Sequence, residues 1–473
     1  MSPVIHFDQF GVSAEAIRAV LTAALGRGAD DADLYFEHAE STSVALSDGK
    51  VNRASTHVDL GAGVRVVVGD QVGYAYTEDL SRDAMVQAAR LAAEIAAGTG
   101  SRQPVAATPA KYADRYPVAL PWEEVALEKR VAMVRDWEKR VFAKDARIKK
   151  VEVSLADSFR HVLVVRPDGR MVYDYQPMTR AFISTTAQDD AGRRETASSN
   201  LAQRMGLEFY SDERVERLIQ KAVNDTVVLF EATKAPAGEM TVVLGAGSSG
   251  ILLHEAIGHG LEADFNRKGV SIYADRLNTA IAPKGVTIVD DGTLPWARGT
   301  INVDDEGNAA EKTVLIEDGV LRSYLHDEIS ARHYGVSPTG SGRRESFRHP
   351  VLPRMRATYM EAGGYAPEEI IASVQNGIYC SSFSNGQVQI GAGDFAFYVR
   401  HGYLIENGKL TRPIKDVNLV GNGPKVLETI EMVGNDLVID EGGWTCGKDG
   451  QSVPVSQGMP TVKVSRLSVG GAN

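Results

Sequence analysis

Residues 13–27, SAEAIRAVLTAALGR, space their apolar side chains at three- and four-residue intervals behind a serine able to cap the first turn, which predicts an amphipathic helix. From residue 32 to 76 the period falls to two. The segments DLYFEH, TSVALSDG and GVRVVVGDQVGYAY alternate apolar and polar positions between Ser-Asp-Gly and Gly-Asp turn signals, so a β-meander follows. Helical spacing returns over 81–97, and a stretch rich in Pro, Gly and Ala marks a linker at 99–119. The same order then recurs: a helix over 123–143, alternation over 148–205 around Pro167-Asp168-Gly169 and Asp190-Ala191-Gly192, and a helix over 212–230. Two helix, meander, helix units are therefore expected, at 1–98 and 120–232. Residues 238–473 read as a glycine-rich β domain in which Asp290-Asp291-Gly292, Glu317-Asp318-Gly319 and Glu406-Asn407-Gly408 look like hairpin turns. The expected class is α+β, with the β-rich domain carrying one helix of special interest.

Composition narrows the setting. A chain of 473 residues, 43% hydrophobic and 24% charged, is globular and long enough for about three domains. The first residues have neither the basic start nor the apolar run of a signal peptide. Apolar runs such as 64–68 fall far short of the roughly 18 residues that span a bilayer, so a cytoplasmic protein without a membrane role is expected. Lys and Arg number 51 against 62 Asp and Glu, a net charge of −11 that argues against nucleic acid as a partner. The only cysteines, Cys380 and Cys446, exclude a disulfide scaffold and suit a reducing compartment.

The helix of interest is 249–263, SGILLHEAIGHGLEA, which contains His254-Glu255-Ala256-Ile257-Gly258-His259. Two imidazoles flanking a carboxylate supply metal ligands and a base for a metal-polarised water. The spacing is unusual. At about 100° per residue, histidines five apart on an α-helix point about 140° away from each other and cannot share an ion. A π-turn, at roughly 80° per residue, returns an i, i+5 pair to nearly one face, and Gly258 and Gly260 give the backbone freedom for it. A π-bulge or break between the two histidines is the expectation; the alternative is two unrelated histidines. The preceding GAGSSG, 245–250, lacks the Gly-Lys-Ser/Thr ending of a phosphate loop and reads as the start of this helix, with Ser248 or Ser249 as cap.

Further candidates are less specific. His6, His38, His57, His161, His326, His333, His349 and His401 stand in no comparable motif. Cys446 lies in GGWTCGKDGQ, where flanking glycines permit a tight loop and close approach of sulfur to an ion, although a loop cysteine can be incidental. Arg343 and Arg344 could bind a substrate carboxylate or peptide carbonyl, or pair with Glu345 or another acid. Tyr324, His326, Tyr379 and His401 carry donors suited to an oxyanion, and each also has a structural reading. Asp290-Asp291 and Asp304-Asp305-Glu306-Gly307 lack the pattern of a calcium loop and read as turns and solvated acids.

In order, HEAIGHGLEADFNRKG (254–269), PTGSGRRES (338–346), GQV (386–388), MVGNDL (432–437) and CGKDGQSVPV (446–455) resemble the TldD/PmbA family of metallopeptidases. The likeness runs over essentially the whole chain, with the specific motifs all after residue 240. It implies one zinc ion per catalytic chain, held by His254, His259 and Cys446, with Glu255 as general base activating a metal-bound water. The thiolate suits zinc over magnesium, calcium or manganese, and three ligands leave a fourth position for water. The family's TldE or PmbA partner type lacks the H-E-x-x-x-H residues, so this chain looks like the catalytic member. The resemblance further implies hydrolysis of peptides or unfolded segments, in a heterodimer with a TldE/PmbA-type subunit or a homodimer. The alternatives are a non-enzymatic regulator of the gyrase-modulator kind, or a catalytic subunit silent without its partner.

Overall fold

The computed structural model describes residues 9–471, so His6 lies outside the described residues. α1 (Ala14–Leu25) starts where the Ser13 hydroxyl accepts the Ala16 N–H at 3.1 Å, and it buries Ile17, Val20, Leu21 and Leu25. Then come β1 (Asp31–Ser47), β2 (Lys50–Val68) and β3 (Gln71–Thr77) as an antiparallel meander. α2 (Arg82–Ile95) returns to pack with α1 over Leu34, Val64 and Val66. The second unit repeats the order with α3 (Leu127–Phe142), β4 (Ile148–Val165), β5 (Arg170–Gln188), β6 (Arg194–Gln203) and α4 (Asp212–Val227). Its two turns pass through Gly169 and Gly192 at φ 89 and 80°, as the Asp-Gly and Ala-Gly signals require.

The two units share one sheet. β1 pairs antiparallel with β4 from Leu34↔Val165 to Ser47↔Glu152, giving the order β3-β2-β1-β4-β5-β6. The linker is built into this body: Thr108–Pro109 runs parallel to β5, and the buried Tyr116 donates its hydroxyl to Asp174 while accepting the Asn302 N–H at 3.1 Å. With helices covering one face, the other packs Tyr35, Val162, Val164 and Val172 against Val303 and Phe347 of the third region.

That region is β-rich, and the fold as a whole is α+β. β7 (Gly238–Leu244) opens it, and β8 (Ile288–Asp291), β9 (Lys312–Glu317) and β10 (Ala357–Met360) belong to a six-stranded sheet. β11 (Asn376–Gln389), β12 (Asp394–Glu406) and β13 (Lys409–Asn422) follow as a second meander. The hairpin β14 (Thr445–Lys448)/β15 (Gln451–Pro454), then β16 (Ser456–Met459) and β17 (Val462–Gly471), complete the chain. β17 pairs with both β7 and β13, closing β7-β11-β12-β13-β17 on itself. No helix of the described residues is long and apolar enough to cross a membrane.

Two expectations need correction. Asp318-Gly319 and Asn407-Gly408 form tight hairpin turns with positive φ, but Asp290-Asp291-Gly292 does not: β8 and β9 are joined by an excursion over 292–311. The acids at 290–291 and 304–306 are buried rather than solvated. Asp290 accepts the Arg356 N–H and Nε–H at 2.9 and 2.7 Å. Asp304 accepts the backbone N–H groups of Glu306, Asn308 and Gly342. Buried carboxylates persist only with such donors.

The same acids lock the third region to the sheet. Arg65 of β2 reaches Asp33 and Glu306, each at 2.5 Å; Arg344 reaches Asp33 at 2.8 Å, and its N–H donates to Asp305. Removing one member of a buried ion network strands its partners, which costs about 3–5 kcal/mol. Arg65→Ala is therefore expected to lower stability by about that amount in urea unfolding. Arg322→Ala, at an exposed pair with Glu317, should leave the midpoint unchanged.

Candidate metal centre

Gly247, at φ 88°, turns the chain from β7 into a composite helix. Neither expected serine caps it: the Ser249 hydroxyl donates back to the Gly245 carbonyl, and no side chain caps the first turn. After a 3₁₀ turn over Ser248–Gly250 and α geometry over Ile251–Leu253, residues His254–Gly258 form a π turn. The His259 N–H bonds the His254 carbonyl, so the two motif histidines are the two ends of one i, i+5 hydrogen bond. The glycines serve it differently from the sequence expectation. Gly258 has an ordinary helical φ of −55°; what matters is its missing side chain, because a Cβ would stand 2.0 Å from Met355 Sδ. A Cβ on Gly260 would stand 2.6 Å from the Tyr273 ring.

The turn brings the imidazoles of His254 and His259 to 5.0 Å between ring centroids, at 85° to each other. Cys446, on β14 rather than in an open loop, sets its Sγ 3.4 Å from His259 Nε2. One donor atom from each of the three lies within 4.8 Å of the others, and all three residues are buried. Burial opposes charge here, yet the charges of His254 and His259 hold the Cys446 thiol well below its usual range. Likewise Glu262 and the Cys446 thiolate hold His259 protonated well above the usual imidazole range despite burial. His254 Nδ1 is buried with no hydrogen-bond partner. A thiolate, two imidazoles and an orphaned ring nitrogen at one point fit a single soft-to-borderline cation. Glu255 follows His254 on the same turn, half-buried and without a hydrogen-bond or ion-pair partner among the described residues. It lies against Gly386 of β11.

Behind the three candidate ligands is a layer that sequence reasoning missed. Glu262, fully buried, accepts from His259 Nδ1 at 3.0 Å and so fixes that ring with Nε2 facing Cys446. Burial would raise its carboxyl, but Lys448, His259 and Arg354 bring it down to about 2. Lys448 stands 3.2 Å from Glu262 and donates to Asp264 at 2.7 Å, and Arg354 donates to the Cys446 carbonyl at 2.7 Å. The available signal was the i, i+3 spacing of His259 and Glu262, which puts both on one helix face.

The remaining candidates have contacts of their own away from the three converging residues. Arg343 is buried and donates to the Met355 and Pro454 carbonyls; Arg344 belongs to the Asp33 network. Tyr324 donates to the Tyr273 carbonyl at 2.8 Å, bracing the loop that backs Gly260. His326 is buried beside Tyr324 and Tyr334, and burial pushes its imidazole down to about 4. His401 is held between the Ser381 hydroxyl at 2.9 Å and Asp225 at 3.2 Å. Tyr379 packs over Gly245 beside Val243. Cys380 is a buried residue of β11, as expected of a small strand residue.

Comparison with known proteins matches three family models in series: PmbA/TldA metallopeptidase domain 1 over residues 32–96, the central domain over 120–230 and the C-terminal domain over 237–471. The chain belongs to the PmbA/TldD metallopeptidase family. A metalloprotease TldD homolog of Haemophilus influenzae is 40% identical over 454 residues, 94% of each chain. A zinc metalloprotease TldD homolog of Saccharolobus solfataricus is 36% identical over 236 residues, covering 50% of this chain and 52% of that one. Among solved structures, a Thermotoga maritima protein named a modulator of a DNA gyrase has a TM-score of 0.79 at 20% identity, covering 96% of this chain and 99% of that one. TldE of Thermococcus kodakarensis has a TM-score of 0.74 at 18% identity, covering 96% and 100%. These two likenesses establish the fold.

In this PmbA/TldD chain the Glu262 contact carries a testable consequence. Losing a carboxylate that orients a ligating histidine costs about 10–100-fold in metal affinity. Glu262→Gln is expected to weaken binding of added zinc by that factor in competition with a chelator, whereas Arg322→Ala, at the exposed pair with Glu317, should leave it unchanged.

Proposed function

We propose that this chain is a zinc-dependent metallopeptidase that hydrolyses peptide bonds in peptides or unfolded segments. The observation that carries the reading is the convergence of His254, His259 and Cys446 on one point, with an unpartnered Glu255 on the same turn. His254, His259 and Cys446 are the residues that would hold one zinc ion. When bound, zinc would supply Lewis acidity toward water and the scissile carbonyl. Glu255 then does the proton work: its free carboxylate takes a proton from the attacking water and returns it to the leaving amine. Glu262 and Lys448 keep His259 oriented, and Arg354 holds the Cys446 backbone. Burial of the ligands supports the substrate class, because a folded domain cannot bring its backbone to so enclosed a point while an extended segment can.

Residues 238–473 act as the catalytic unit in this account, with 1–98 and 120–232 as the wall against which it is set and 99–119 as the connection. A two-subunit assembly is part of the proposal, with a TldE/PmbA-type partner or a second copy; its support is the shared fold of a solved TldE. The protein is taken to work in the cytoplasm, as its two unbridged cysteines suit a reducing compartment.

General acid–base groups contribute about 10²–10⁴-fold to rate. Glu255→Gln is expected to lower kcat on an unstructured peptide by that range while retaining zinc at one equivalent. Equal turnover by the variant would remove Glu255 from the mechanism.

A further inference from the structure

Beside the metal centre, a hollow of about 190 Å³ separates β6 from the third region. Its lining includes Arg180 of β5, Ser198 of β6, Ser384 of β11, Arg400 of β12 and Trp444. Two of its walls run straight into the centre. Two residues beyond Ser384, Gly386 meets Glu255; two residues beyond Trp444 is Cys446.

The hollow is unusual in its charge. Its two acids are already engaged: Asp225 accepts from Lys221 at 2.9 Å and from His401 at 3.2 Å, and Asp440 accepts the Trp444 indole N–H at 2.5 Å. Its arginines have no carboxylate partner among the described residues. Among the described residues Arg400 donates to the Ser198 carbonyl and hydroxyl, at 2.7 and 2.9 Å, and to no carboxylate. Arg180 has no hydrogen-bond or ion-pair partner among the described residues and packs 5.9 Å from the Phe182 ring centroid. Two more arginines stand behind them. Arg298 donates to the Trp444 carbonyl at 2.9 Å, and Arg204, 1% exposed, has Nε and Nη2 buried without partners. Burial and the charges of Arg180 and Arg204 push Arg298 down to about 9, a measure of how much positive charge is crowded here. In a chain of net charge −11, whose buried Arg65, Arg130, Arg166, Arg344 and Arg356 have carboxylate partners and whose buried Arg343 is held by carbonyls alone, this is a local concentration of positive charge.

We propose that the hollow is a subsite for a carboxylate of the peptide substrate, gripped by Arg180 and Arg400 to one side of the scissile bond. This rests on the peptidase reading. Guanidinium pairs with carboxylate through two parallel charge-assisted hydrogen bonds, which favours an acid strongly over the isosteric amide. The carboxylate could be the α-carboxylate of a short peptide or an Asp or Glu side chain within a longer one; the chemistry is shared and the substrates can be separated.

The test uses the full-length, zinc-loaded Glu255→Gln protein and fluorescein-labelled hexapeptides, matched pairwise as C-terminal acid against amide and as internal Glu against Gln, with affinity read by anisotropy. At least one acid is expected to bind about tenfold tighter than its amide, in line with a hydrogen bond to a charged group. Arg180→Gln in the same background should abolish that difference. A gain confined to the C-terminal pair identifies the α-carboxylate, and one confined to the internal pair identifies an acidic side chain. Equal affinities within both pairs, no binding at all, or a preference that survives both Arg180→Gln and Arg400→Gln would overturn the proposal. Failure of the wild-type protein to cleave any of these peptides would instead count against the peptidase reading and leave a binding difference standing.

Discussion

One hydrogen bond, from the His259 N–H to the His254 carbonyl, sets the geometry on which the rest of the centre depends. In an α-helix the bond from His259 would fall one residue later, on Glu255, and the two rings would diverge by about 140°. By reaching back five residues the chain folds them toward each other, and Cys446 can then complete the set from a separate hairpin. The turn is maintained by neighbours that leave no room for anything larger than hydrogen: Met355 fills the space over Gly258, and the Tyr273 ring fills it over Gly260. Tyr273 also donates to the Ala256 carbonyl inside the turn, and Tyr324 braces Tyr273 in turn.

Charge is treated in two opposite ways in this molecule. Around the metal centre and at the seam with the N-terminal sheet, buried ions are matched: Glu262 with Lys448 and His259, Asp33 with Arg65 and Arg344, Asp290 with Arg356. Such networks add little net stability over apolar packing, but they tolerate only one register of the parts they join. That rigidity suits a site whose candidate ligands come from a helix and a hairpin nearly 190 residues apart. In the hollow beside Trp444 the matching stops and cations predominate, which distinguishes a surface finished by the fold from one left for something else to finish.

Much of this was legible in the sequence, and the failures are instructive. The period switch from 3.6 to 2 gives both helix, meander, helix units, because one face of each element is buried by its neighbours within the unit. The i, i+5 histidines point to a π turn, since no other helical geometry brings them together. What pattern reading cannot see is long-range pairing. Asp305 and Glu306 look solvated because their partners, Arg344 and Arg65, are distant in sequence, and Arg343 looks available because its carbonyl acceptors are supplied by Met355 and Pro454. The joining of the two units into one sheet through β1 and β4 is likewise invisible, as alternation fixes which face is buried and not which edge is paired. Glu262 was within reach of sequence logic, standing one turn beyond His259, and its role becomes plain only once Lys448 and Arg354 are seen beside it.

The central claim is that one ion occupies the point where His254, His259 and Cys446 meet. Crystals of the zinc-loaded protein, measured on both sides of the zinc absorption edge, test it directly. The account predicts a single anomalous peak per chain, about 2.0–2.1 Å from a nitrogen of each histidine and about 2.3 Å from Cys446 Sγ. A peak that omits any of these three residues, or no peak at this point in protein that carries stoichiometric zinc, would contradict it.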